Sequence, residues 1–285
     1  MKKRTQTLIL SAILIGQAQS KTPTEKNILG VYKLTKFATV SPDGTETPWC
    51  TDASGTIAYV PGYMHVGINC KGVEANTQAE EFGGKLFYSG PFEIDSKKGE
   101  VVHRVRNYSH PSLNKVLRRQ VTLENDKQLS LMGDSVSGGK IVIEWERIEK
   151  FKYNDSSLTG FYELVGSENE VEGSDQKIPF CSGFHGSILY TPGGFGAVAI
   201  NCGEKTNPLA VEPADMFGRR YFYSGRYRQE ENILTQSIQY SSEEKQIGTE
   251  ARRLMIQKDD LLMLDGVNGS KFRATWRKLR SFVNL

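Results

Sequence analysis

Residues 56–70 read TIAYVPGYMHVGINC and residues 187–202 read SILYTPGGFGAVAINC, so one phrase is written twice. In the first copy two β-favouring runs flank VPGY, where Pro61 presets the backbone and Gly62 tolerates positive φ. The phrase is a hairpin. Working outward from it, GVYKL at Gly30 meets GFYEL at Gly160, and FYSGPF at Phe87 meets FYSGRY at Phe222. Arg118 and Arg119 meet Arg252 and Arg253, and Trp145 meets Trp276. Only two copies exist, which makes this a tandem domain duplication rather than a solenoid.

The totals agree with that reading. A chain of 285 residues is long enough for two cores, and its 28 glycines and short apolar runs favour many strands and turns. At the start, Lys2, Lys3 and Arg4 precede LILSAILIG and then QAQS, the pattern of a secretory signal peptide cleaved after Ala18 or Ser20. The apolar run is too short to span a bilayer as a helix. The domains expected are therefore a signal peptide over 1–20, one barrel over 21–150 and a second over 151–285, with each barrel able to fold alone. The net charge of +3 equals the three basic residues of the leader. No basic stripe remains, so nucleic-acid binding has little support.

Each copy resolves into eight extended segments. In the first they lie near 30–40, 55–60, 63–70, 85–95, 100–108, 115–124, 128–133 and 140–149, with a helical insert in GVEANTQAEEF and its counterpart VEPADMF. Eight antiparallel strands in chain order close best as an up-and-down barrel, because closure removes exposed edges. The expected fold is all-β, two tandem eight-stranded antiparallel barrels.

The ordered series GVYKL, GTIAYVPGYMHVGI, FYSGPFEID, GEVVHRV, RRQVTL, LSLMG and IEWERI resembles the lipocalin-like domain family, a branch similar to the calycins. The resemblance covers 28–149 and, more loosely, 158–280. It implies a barrel with a central cavity for a small hydrophobic or amphipathic molecule, and no particular reaction. Tyr32 and Tyr162 stand where the wider calycin pattern has tryptophan. By the same resemblance Arg147 packs across Tyr32 to close the barrel floor, and Lys278 across Tyr162, both by cation–π contact.

Four cysteines in a secreted chain, at equivalent repeat positions, read as the disulfides Cys50–Cys70 and Cys181–Cys202. A zinc site is the rival, but no Cys-x-x-Cys pair or repeated histidine supports one. Period-two alternation points His103, Arg119 and Tyr88 into the first barrel as ligand-binding candidates. His103 is first a hydrogen-bonded core residue, then a polar anchor, and only weakly a catalytic base. A buried Arg119 needs acceptors, from backbone or from ligand. His65 is expected to face water, and His110 and His185 to sit in turn-like stretches. In the second copy Gln236 replaces His103 while Arg253 is kept, between the smaller Ala251 and Met255. Ligand-specific function is therefore expected in the first barrel, and His103→Gln is expected to leave the fold nearly as stable. No nucleophile motif, phosphate loop or metal cluster is present, and no cofactor is implied. The leading expectation is a secreted, periplasmic binding protein. A cofactor-free isomerase or cyclase and a structural module of the cell envelope are the alternatives.

Overall fold

The protein is described by a computed structural model that covers residues 23–71, 84–135, 138–153, 158–170, 177–179, 183–202, 220–267 and 272–281. The leader, both helical inserts and Cys181 lie outside the described residues. In the first half a four-residue helix α1 (Glu25–Ile28) precedes β1 (Gly30–Val40), β2 (Glu46–Pro48), β3 (Asp52–Val60), β4 (Tyr63–Lys71) and β5 (Lys85–Asp95). Then follow β6 (Glu100–Arg104), β7 (Asn107–Tyr108), β8 (Val116–Glu124), β9 (Gln128–Asp134) and β10 (Lys140–Lys150). In the second half lie β11 (Gly160–Glu170), β12 (Lys177–Ile178), β13 (His185–Tyr190), β14 (Phe195–Asn201) and β15 (Arg220–Glu230), then β16 (Ile233–Ser241), β17 (Glu250–Lys258), β18 (Leu261–Gly266) and β19 (Phe272–Ser281).

Each half is a closed antiparallel barrel of eight principal strands. Neighbours in sequence pair in order, and β10 returns to β1 from Gly30 opposite Lys150 to Val40 opposite Lys140, as β19 returns to β11. Closure leaves no principal strand as an edge. Two details differ from the expected strand list. A short β2 folds back on β1, and the run 100–108 breaks because Phe92 faces His103 while Ser89 faces Asn107. One extra residue therefore sits opposite β5, which is a bulge at 105–106.

The floor of each barrel follows from its first and last strands. The Tyr32 hydroxyl donates to the Ile28 carbonyl at 2.7 Å, and Arg147 lies 4.9 Å from the Tyr32 ring centroid while donating to Tyr32 and to the Asn27 carbonyl. Tyr162 donates to Leu158 at 2.7 Å, with Lys278 5.4 Å from its ring. Both expected cation–π contacts are present. Cys50 is joined to Cys70 across a Cα separation of 5.8 Å. Cys202 is also disulfide-bonded, and its expected partner lies outside the described residues.

The outer faces of the two barrels bury each other. Val31, Ala58 and Val60 of the first pack with Phe161, Leu189, Phe195 and Ala197 of the second, each at most 1% exposed. Thr56 bonds Ser224 at 2.9 Å, and Ser187 bonds Ser89 at 2.7 Å. Thr56 and Ser187 are repeat equivalents, as are Ser89 and Ser224, so the contact has approximate two-fold symmetry. Glu149 receives Thr191 at 2.6 Å and Arg226 from the other barrel.

That interface corrects the expectation for His65. Its side chain does point out of the first barrel, but the surface it points to is covered by the second, and the residue is 3% exposed. Burial pulls its pKa down to about 3, so the ring is neutral. His185 is not in a turn: it opens β13, lies 4.7 Å from the Tyr108 ring and contacts Asn201. His110 does precede a turn, accepting the Ser112 backbone N–H at the start of a short 3-10 segment.

Candidate functional site

The first barrel holds a cavity of about 350 Å³ at the end away from α1. Its apolar wall includes Phe37, Trp49, Ile68, Leu131, Ile143 and Trp145. Alternation along each strand supplies most of these, since every second residue of a closed barrel points inward. Trp49 arrives differently: it belongs to the segment between β2 and β3, stacks on Phe37 at 4.3 Å, and precedes the cysteine tied to Cys70. The disulfide thus holds an aromatic side chain against the cavity.

The polar groups sit on strands that flank β6 in the barrel wall. Tyr88 on β5 and Arg119 on β8 line the cavity. His103 on β6 is fully buried and stands behind Tyr88, outside the cavity wall. Its Nδ1 is 3.2 Å from the Tyr88 hydroxyl, and its Nε2 is 2.8 Å from the Tyr59 hydroxyl on β3. Burial, reinforced by the Arg119 charge, lowers the His103 pKa to about 3. Burial raises both tyrosines above their ordinary value, Tyr59 strongly. The three groups are neutral at physiological pH, and both ring nitrogens are engaged. Such a histidine orients its neighbours; it has no free nitrogen with which to take a proton from a ligand.

Arg119 lies beside Leu117 and Val121 on the inward face of β8, as alternation requires, while Arg118 points to solvent. Its Nη1 donates to the Arg118 carbonyl at 2.9 Å, and among the described residues its buried Nε has no hydrogen-bond partner. The guanidinium occupies the space over Gly133, where a Cβ would lie 2.7 Å from Arg119 Cδ. Any other residue at 133 would displace the arginine. At the rim, Lys115, Arg118 and Asp134 join the lining, with Asp134 bonded to Lys140 at 2.6 Å and Arg118 3.4 Å from Glu100.

Of the sequence candidates, then, Tyr88 and Arg119 meet at the cavity and His103 reaches it through Tyr88. Tyr59 and Trp49 were missed. Alternation in TIAYV places Tyr59 inward with Ile57, a legible signal, whereas nothing local to Trp49 says which way its loop folds. In the second barrel Gln236 takes the place of His103 and donates to the Gly196 carbonyl at 2.7 Å. Arg253 repeats the geometry of Arg119, opposite Gly266 and bonded to the Arg252 carbonyl at 2.8 Å. Among the described residues no three His, Cys, Asp or Glu side chains form a metal-binding set.

Residues 29–148 match the lipocalin-like domain family. No curated protein matches the chain. Among solved structures a redesigned β-barrel is similar at 16% identity over 44% of this chain and 94% of its own, with a TM-score of 0.27.

Proposed function

With residues 29–148 forming a lipocalin-like domain, we propose that the protein binds a small hydrophobic or amphipathic molecule in its first barrel. The observation that carries this is the cavity of about 350 Å³, which falls within the range of small-molecule sites and has mostly apolar walls with two inward polar groups. The signal-peptide pattern and the Cys50–Cys70 disulfide support export to an oxidising compartment such as the periplasm.

The alternatives receive less support. An isomerase or cyclase needs an acid or base poised near neutral pH, and the pKa of His103 is held near 3 with both nitrogens occupied. A docking module needs a free apolar face, and the faces of that kind built by Val31, Ala58, Phe161 and Leu189 are spent on the contact between the barrels. Native mass spectrometry of protein purified from its own host tests the binding function. A co-purified small molecule is expected, and it should be lost in Leu131→Trp, which fills the cavity. Protein that carries no small molecule and takes up none from a lipid-soluble host extract would overturn the proposal.

A further inference from the structure

We infer that the molecule held in the first barrel carries a carboxylate, read by Tyr88 and Arg119; the inference rests on the binding function proposed above. It starts from Tyr59, which is fully buried and whose hydroxyl, among the described residues, meets only His103 Nε2. If Tyr59 accepted a hydrogen bond from Nε2–H, its own proton would be buried without an acceptor, at a cost of about 1–3 kcal/mol. Tyr59 therefore donates to a bare Nε2. A neutral imidazole then carries its proton on Nδ1, which donates to the Tyr88 oxygen. The Tyr88 hydrogen is left to point away from His103, and the residue lines the cavity. The chain of bonds runs one way and ends as a donor aimed at the ligand.

Arg119 supplies the second donor. The residue lines the same cavity, and its Nε–H is buried with no partner among the described residues. Its charge is close enough to influence the ionisation of both Tyr88 and His103. The one carboxylate in the lining, Asp134, is held by Lys140, while Lys115 adds positive charge at the rim and Arg118 lies 3.4 Å from Glu100. Two inward donors and the lining cations Arg119 and Lys115, beside the paired Arg118 and Asp134, call for an acceptor-only, negatively charged group. A carboxylate satisfies both donors and brings no hydrogen of its own to be satisfied, whereas an alcohol does. In the second barrel the Gln236 amide is committed to Gly196, so the directed chain is missing there.

The size of the cavity, at ~30 Å³ for each water-sized group, suits about a dozen non-hydrogen atoms. Decanoate and 1-decanol at pH 8 are therefore the probes, followed by quenching of tryptophan fluorescence, since Trp49 and Trp145 both line the site. Charge-assisted hydrogen bonds lead us to expect one decanoate per chain, bound about ten-fold or more tighter than decanol. Arg119→Met and Tyr88→Phe should each reduce that ratio below about three-fold while decanol still binds, which also reports an intact barrel. Equal affinity of acid and alcohol for the native protein overturns the carboxylate inference and leaves the binding function standing. Binding of neither overturns both. An acid preference that survives both substitutions overturns the assignment to these residues.

Discussion

At the scale of single residues, equivalent positions of the two barrels carry different side chains whose tasks are set by their neighbours. Gln236 and His103 are equivalent, yet Gln236 needs Gly196 beside it: a Cβ at that position would lie 2.9 Å from the amide nitrogen. The first barrel has Met64 there, fully buried. His103→Gln is therefore not the neutral exchange that alignment suggests. It crowds Met64 and removes the acceptor of a buried phenol, and we expect a loss of about 1–3 kcal/mol, read from urea unfolding, together with a weakened preference for decanoate. A variant as stable as the parent would show that the Tyr59 bond contributes nothing. The buried histidines also set an acid limit. His65 and His103 have folded pKa values of about 3 against 6.5 in the unfolded chain. Only the unfolded state takes up their protons across that window, so stability is full above pH 6.5 and falls as pH drops towards 3, by at most about 1.4 kcal/mol per pH unit for each ring. His185, also lowered by burial, adds to the trend. Urea midpoints measured from pH 7 to 5 should show the slope, and His65→Ala, which copies Ala197, should reduce it; an unchanged slope would mean that His65 is not buried in solution.

At the scale of elements, the paired β3–β4 hairpin does two jobs. Its turn depends on Gly62, at φ +76°, and its open end is held by Cys50–Cys70. Closing a loop with a sequence separation of 20 contributes about 3 kcal/mol by loop entropy. The same bond fixes the segment that carries Trp49. Cys50→Ser with Cys70→Ser should thus lower stability by about that amount and also weaken decanoate binding, because Trp49 loses its anchor against Phe37. Lost stability with undiminished affinity would separate the two jobs and place Trp49 outside the site. The alternation in this hairpin was legible from sequence, and so were the inward positions of Tyr88, His103 and Arg119. The one-residue bulge after Arg104 was not, since VVHRVRN alternates smoothly and only the register against β5 reveals the extra residue.

At the scale of the whole molecule, the approximate two-fold contact makes a specific statement about one barrel alone. Residues 21–150 contain every strand of the first barrel, but on their own they expose Val31, Ala58, Val60 and Phe87, all buried in the full chain. The surface is nearly self-complementary, because Thr56 would meet Ser89 of a second copy as it now meets Ser224, and the gap over Gly67 that receives Phe222 would receive Phe87. We expect the fragment to fold cooperatively and to sediment as a dimer. A stable monomer would mean that the outer face tolerates water, and a disordered fragment would mean that the two barrels fold as one unit. In the full chain Gly67→Val should destabilise the contact, since even a Cβ there lies 2.6 Å from the Phe222 ring. A variant that unfolds like the parent would remove the tight packing at that point.

By itself the sequence determined the duplication, the strand order, the face on which each strand residue sits and the pairing of Cys50 with Cys70, because these follow from local periodicity, turn chemistry and repeat position. Only the tertiary structure decided what lies beyond each face. His65 and His103 illustrate the division: alternation turned one outward and the other inward, but a second barrel lies over the first and Tyr88 stands between the second and the cavity. The space that Arg119 occupies was likewise set by Gly133, on the neighbouring strand. Depth, coverage and hydrogen-bond partners come from strands far apart in the chain, and a period read along one strand carries no information about them.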